Sequence, residues 1–209
     1  MLTVWSLCWG DKYPDYYVQR LQREVSKYLT LEHRFVCITE RKIDGVETIP
    51  PVVDWPGWWG KLSLFSPGFT DDHNLWFDLD VVITGNLDVL VETYSNCALA
   101  TPWNWAQSGH GGCQSSVMLW HSCGPLPIWQ AFNSADAHWP PINKPGVLYG
   151  DQEHITVMRD EGFPVTQVDA DLVKSYKYHC RGGLPQGTKV VVFHGDPKPA
   201  DVRESWFQW

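Results

Sequence analysis

Apolar positions fall in short runs separated by turn-forming clusters. "LTVWSLCW" (2–9) alternates and predicts a strand, and "GDKYPD" breaks it. Val18, Leu21, Val25 and Tyr28 or Leu29 then recur at three- and four-residue spacing, which predicts one buried face of a helix. "RFVCIT" (34–39) predicts a second strand. Strand, helix, strand is the opening of a parallel α/β sheet, in which ligands sit beyond the carboxyl ends of the strands. A loop rich in Pro, Gly and Trp, "IPPVVDWPGWWG", leads to a short helix, "KLSLF", and then to the apolar run "NLWFDLDVVITG". Further on, "NLDVLVETY" and "DQEHITVMRDEG" read as helices, the second ended by Gly162. "CALAT", "SSVMLW" and "KVVVFHG" read as strands. The Pro-rich patches at 125–127 and 139–145 read as loops, and no repeat or domain boundary interrupts the chain.

Length and composition narrow the class. A chain of 209 residues buries one sizeable core, so a single domain is expected. No apolar stretch reaches the roughly 18 residues of a membrane helix, and the start, "MLTVWSLCWG", lacks the basic head and cleavage site of a signal peptide. The expectation is a cytoplasmic protein without an integral membrane segment. Six scattered cysteines without a C-x-x-C pair read as reduced thiols and argue against zinc. A net charge of −8 opposes phosphate attraction and disfavours a polyanionic partner. The thirteen tryptophans could line a carbohydrate site with flat indole faces, although core packing is the commoner role for any one of them.

The chemistry gathers in two places. Asp78 and Asp80 lie in an apolar run, where a charge is costly unless paired, and on a strand side chains at i and i+2 share a face. A bare D-x-D is usually a solvated strand end or a salt bridge; this apolar setting points instead to a shared divalent cation, Mg²⁺, Ca²⁺ or Mn²⁺. His194 ends another apolar strand and enters "GDPKP", and an added imidazole tilts the choice toward Mn²⁺. Gly195 permits close backbone approach, and Lys198 supplies a point charge for phosphate. Metal, imidazole and ammonium together suit a departing diphosphate.

"SLCWGDKY", "KLSLF", "FDLDVVITGNLD", "QSSVMLW", "YGDQEHIT" and "FHGDPKP" follow one another in an order that resembles the glycogenin and bacterial lipopolysaccharide galactosyltransferase family of retaining enzymes. The resemblance spans nearly the whole chain. It implies a single GT-A type α/β domain with a Rossmann-like, mostly parallel sheet flanked by helices and a small C-terminal strand and turn motif closing a metal site. Residues 1–85 would form the nucleotide-binding half, and 86–209 the half for acceptor and donor sugar.

By the same resemblance, Asp78, Asp80 and His194 would hold Mn²⁺, with Mg²⁺ as an alternative, on the diphosphate of a UDP-sugar. Lys198 and Gly195 would contact that diphosphate, Tyr13 would stack on uracil near Leu7, and Lys61 would reach across the phosphate and sugar. Asp151 would grip sugar hydroxyls, and Gln152 would place its amide near the anomeric carbon. Gln114, Ser115 and Ser116 stand where the family has Asn, a small residue and Gly. The terminal motif departs from the family, because Val192 occupies the usual His position and His194 directly precedes Gly195.

The implied reaction is metal-dependent transfer of a sugar to an acceptor hydroxyl with retention. The acceptor stays open among a glycan, a lipid-linked sugar, a protein and, disfavoured by charge, a modified DNA base. A catalytically silent module that binds nucleotide sugars or glycans is an alternative, as is a metal-dependent phosphoesterase.

Overall fold

The computed structural model describes residues 1–53, 55, 57–67, 69, 72–105, 112–133 and 150–209. The predicted opening is present: β1 (Leu2–Leu7), α1 (Asp15–Tyr28) and β2 (His33–Ile38), with β1 and β2 parallel. Val18, Leu21 and Val25 are buried on α1 as their spacing requires. A short edge strand, β3 (Glu47–Ile49), extends the sheet, and a 3-10 helix over Gly57–Phe65 occupies the predicted "KLSLF" helix. β4 (His73–Phe77) then pairs in parallel with the other side of β1.

The D-x-D segment differs from the strand expected of it. β4 ends at Phe77, Asp78–Asp80 form a turn, and β5 (Val81–Ile83) belongs to a different sheet. The apolar run is continuous in sequence because both strands are buried, so nothing in its composition marks the turn between them. The two carboxylates therefore project from a turn at the carboxyl end of β4.

α2 (Asp88–Tyr94), β6 (Leu99–Thr101) and β7 (Val117–His121) follow as read. The Pro-rich patch at 125–127 is a correction: it opens the helix α3 (Leu126–Phe132), since proline is tolerated in a first helical turn. The second patch, 139–145, lies outside the described residues. α4 (Asp151–Asp160), β8 (Val165–Gln167), β9 (Val173–Ser175), a π-helical turn (Tyr176–Cys180), β10 (Val190–Val192) and a 3-10 turn (Pro199–Asp201) complete the order. The main sheet runs β3-β2-β1-β4-β7-β6-β8, with β7 antiparallel to its neighbours β4 and β6, and β5-β10-β9 form a second, small sheet. None of the six cysteines is in a disulfide, and no helix of the described residues is long and apolar enough to cross a membrane.

Strand direction explains where a site can form. β1 and β4 are parallel, so Leu7 and Phe77 end on one edge of the sheet. β7 runs the other way and pairs Val117 with Phe77, which brings Ser115 and Ser116 to the same edge. The start of α4 joins them through α3: the His154 ring nitrogen Nε2 bonds the Ile128 carbonyl at 3.1 Å. Burial pushes the His154 pKa below its ordinary 6.5, against the opposing pull of that carbonyl. The folded protein thus binds this proton less readily than the unfolded chain, and its contribution to stability, intact above about pH 6.5, is lost as pH falls through the lower folded value. Thermal unfolding at pH 7.5 and 5.5 should show that loss. His154→Gln should remove part of it, because His179 and His194 are shifted the same way.

Candidate active site

A cleft of about 410 Å³ opens along this edge, and Leu7, Tyr13, Lys61, Asp78, Asp80, Gln114, Asp151, Gln152, His194, Gly195 and Lys198 all line it. Residues from both halves of the chain thus meet in one place. The remaining sequence candidate, Ser115, lies directly beneath the cleft and is wholly buried.

Its floor is a lysine between two carboxylates. Lys61 Nζ lies 2.9 Å from Asp78 Oδ1 and 3.1 Å from Asp151 Oδ2, and it donates to Ser115 Oγ at 3.0 Å. Burial opposes charge on this ammonium, but Asp151 and Asp78 outweigh it and hold the pKa above the ordinary lysine value. Ser115 Oγ donates to Asp151 Oδ2 at 2.5 Å, and Ser116 Oγ donates to Asp78 Oδ2 at 2.7 Å. Gln114 accepts from the Ser116 amide and donates to its hydroxyl, both at 2.7 Å, so its side chain braces Ser116. In this arrangement Gln114 reaches Asp78 through Ser116.

Asp80 carries the second ion pair. Its Oδ2 receives Lys198 Nζ at 2.6 Å and the Tyr13 hydroxyl at 2.9 Å. Burial and then the Asp80 charge raise the Tyr13 pKa, so the phenol stays protonated and donates. The Tyr13 ring packs on Tyr17, with the Lys12 and Lys198 ammonium groups 5.3 and 5.9 Å from its centroid. Lys198 reaches back because Gly195 turns the chain at a φ of 67°, a left-handed conformation in which glycine is unstrained.

His194 is held by aromatic rings. β10 stops at Val192, which is buried in the core, and His194 emerges beyond it. Its ring stacks on Trp105 at 6.1 Å and on Tyr178 at 5.8 Å, and its Nε2 is 2.7 Å from Ser175 Oγ. Burial, followed by the nearby Lys177 charge, lowers its pKa and favours the neutral ring that metal ligation needs.

Two carboxylates and a neutral imidazole facing one cleft fit a divalent cation in kind. Among the described residues, however, no three His, Cys, Asp or Glu side chains already stand close enough to hold one. Lys198 sits on Asp80, so a cation would have to displace that ammonium. The second Asp80 oxygen accepts no hydrogen bond from the described residues, whereas both Asp78 oxygens are engaged by Lys61.

Gln152 points its carbonyl oxygen at the Asn104 amide, 3.2 Å away. Sequence reasoning placed Ser116 at a family Gly position without foreseeing its bond to Asp78, and it missed Asn104, Trp105 and Ser175. Each of these three lies in a loop or at a strand end and carries no spacing pattern.

No protein-family model matches the sequence, and neither does any curated protein. Solved structures do match. The galactosyltransferase LgtC, in complex with donor and acceptor sugar analogues, superposes with a TM-score of 0.61 at 13% identity, over 95% of this chain and 89% of that one. The apo glycosyltransferase GlyE of Streptococcus pneumoniae gives 0.66 at 14%, over 94% of this chain, which spans only 55% of GlyE. Mouse xyloside xylosyltransferase 1 gives 0.62 at 11%, over 92% and 97%. The chain has the GT-A glycosyltransferase fold.

Proposed function

We propose that this chain transfers a sugar from a nucleoside diphosphate donor, with a UDP-sugar the first to test, to an acceptor hydroxyl with retention. The observation that carries the reading is the cleft itself: Lys198 on Asp80, Lys61 on Asp78 and Asp151, and Gln152 line one wall-to-floor surface at the carboxyl edge of the sheet. The matching fold supports it. So does the solved structure of an LgtC active-site mutant in which glutamate replaces glutamine, since an amide also lines the cleft here.

Lys198 is the group placed to follow charge. In the donor-free protein its ammonium rests on Asp80; with a donor bound it turns to the diphosphate oxygens, which gain charge as the glycosidic bond breaks. Mn²⁺, held by Asp80 with Asp78 and His194, would supply further positive charge to the same oxygens. Asp151 is buried and paired with Lys61, and Gln152 is an amide, so neither is a free carboxylate nucleophile. Same-face attack by the acceptor fits that arrangement better than a covalent intermediate. Trp9, Trp58 and Trp105 on the cleft wall offer flat faces to a sugar ring, which favours a glycan or glycan-bearing acceptor, on a lipid or protein carrier, over a DNA base.

Thermal unfolding with a panel of nucleotide sugars, with and without Mn²⁺, should identify the donor by stabilisation, and release of free nucleotide should follow when an acceptor is added. Binding without release under any acceptor would leave a sugar-nucleotide binder, and hydrolysis of simple phosphodiesters would favour a phosphoesterase. Lys198→Met gives a sharper check. It should slow single-turnover transfer by about one to two decades, the loss of one charge-assisted contact. It should also strengthen binding of Mn²⁺ alone, because the ammonium that competes for Asp80 is gone. Unchanged metal affinity and rate would remove Lys198 from the diphosphate site.

A further inference from the structure

The turn that bears Asp80 is held from behind by a buried arginine on α1. Arg20 is 6% exposed, and its Nη2 donates to the carbonyls of Leu79, at 2.9 Å, and Val81, at 2.8 Å, the two residues that flank Asp80. Glu24, one helical turn along, accepts the Ile83 amide at 3.0 Å. Its Oε2 also lies 2.7 Å from Arg20 Nη1, an ion pair out of hydrogen-bond alignment. From the opposite side, the Phe193 amide of the segment after β10 donates to the Asp80 carbonyl at 3.2 Å. Four backbone groups from Leu79 to Ile83 are thereby fixed by partners distant in sequence.

A guanidinium is costly to bury, and Arg20 Nε has no hydrogen-bond partner. Trp209 compensates: its ring lies 4.2 Å from the guanidinium carbon, within cation–π range, and edge-on to Tyr17 of α1 at 4.6 Å. The same indole packs against both the main core and the small cluster around Tyr176 and Phe193. Arg20 thus joins the D-x-D turn to an indole more than a hundred residues away in the chain, and neither residue lines the cleft.

We propose that Arg20, with Glu24 beneath it and Trp209 over its face, is the positioning residue for Asp80. It holds the turn so that the carboxylate meets Lys198 and Tyr13 in the donor-free protein and the donor complex when one forms. The nucleotide part of this inference rests on the reading above; the restraint on the turn does not.

The test uses Arg20→Lys, which keeps the charge but cannot fork to two carbonyls, with Trp209→Ala and Trp209→Phe as variants that leave Arg20 in place. Amide hydrogen exchange is read at Ile83 and Phe193, beside UDP affinity measured by calorimetry in Mn²⁺. Arg20→Lys and Trp209→Ala should quicken exchange at those two amides while β1 and β2 keep wild-type protection. Both should also weaken UDP binding about ten-fold, the usual cost of removing a group that orients a ligand-bearing side chain. Trp209→Phe, which restores a ring over the guanidinium, should recover most of both. Wild-type exchange at Ile83 and Phe193 in folded Arg20→Lys and Trp209→Ala would overturn the proposal. Quickened exchange in a protein whose wild type binds no nucleotide would uphold the restraint and sink the transferase reading instead.

Discussion

Lys61→Met should be the most damaging single change in the cleft, lowering stability by about 3–5 kcal/mol and the unfolding temperature by roughly 10 °C. The side chain it removes is buried between Asp78 and Asp151, at 2.9 and 3.1 Å. Methionine fills much of the volume but leaves two carboxylates without the cation that sets them at ease, and one must take up a proton or turn outward. Ser115 and Ser116, which donate to those carboxylates, would lose their alignment with them. Because the carboxylates hold the Lys61 pKa above its ordinary value, this contribution is whole below the unfolded lysine pKa, is lost progressively above it, and is gone once pH has risen through the higher folded value. Raising pH through the ordinary lysine range should therefore begin to erode this contribution without reaching the full effect of the substitution. Adding Asp151→Asn to Lys61→Met should restore part of the stability, since it removes one of the two unpaired charges, and a double-mutant cycle in urea measures that coupling. Wild-type stability in Lys61→Met would mean that the ammonium stands free toward a donor instead.

Much of this is legible in the sequence for a simple reason. Where one face of an element is buried and the other is wet, the period shows: Val18, Leu21 and Val25 mark the face of α1. β1 is buried on both faces, Thr3 and Ser6 included, and is legible as a short, mostly apolar run ahead of a turn. β3, β8 and β9 have three residues each and are not buried throughout, so neither a period nor an apolar run reveals them; β6 and β10, just as short, show because every residue in them is buried. The run from Asn74 to Ile83 misleads because both of its strands are buried, so the break at Asp78–Asp80 carries no polar flank beyond the aspartates themselves.

The site divides along similar lines. Asp78, Asp80, Asp151, Gln152, His194 and Lys198 stand out by motif order, and the fold brings them to one cleft. Sequence order does not reveal who pairs with whom. Motif order turns Lys61 toward a donor phosphate, yet its ammonium lies between two carboxylates; it makes Tyr13 a uracil platform, yet the phenol donates to Asp80. Arg20 is invisible for a different reason. On a helical wheel it falls beside the apolar face with Glu24 four residues on, a pattern that usually marks a solvated i,i+4 pair, and only the crossing of α1 over the D-x-D turn buries it.

Asp80→Asn should separate fold from function most cleanly. Asparagine keeps the shape, and its carbonyl oxygen can still accept the Tyr13 hydroxyl. The stranded Lys198 side chain is 23% exposed, so it can turn to water at small cost. The backbone restraints on the turn, through Arg20 and the Phe193 amide, do not involve the carboxylate at all. The unfolding temperature should thus move far less than in Lys61→Met. The lost charge, by contrast, is the one whose second oxygen is open to the cleft. Mn²⁺-dependent nucleotide affinity and sugar transfer should each fall by at least about 100-fold, near 2.7 kcal/mol. Calorimetric titration of Mn²⁺ in the presence of UDP, beside thermal unfolding of the same preparation, decides the matter. Unchanged Mn²⁺ affinity would remove Asp80 from the ligand set, and a loss of stability as large as that of Lys61→Met would make Asp80 a structural partner of Lys198 instead of a ligand held in waiting.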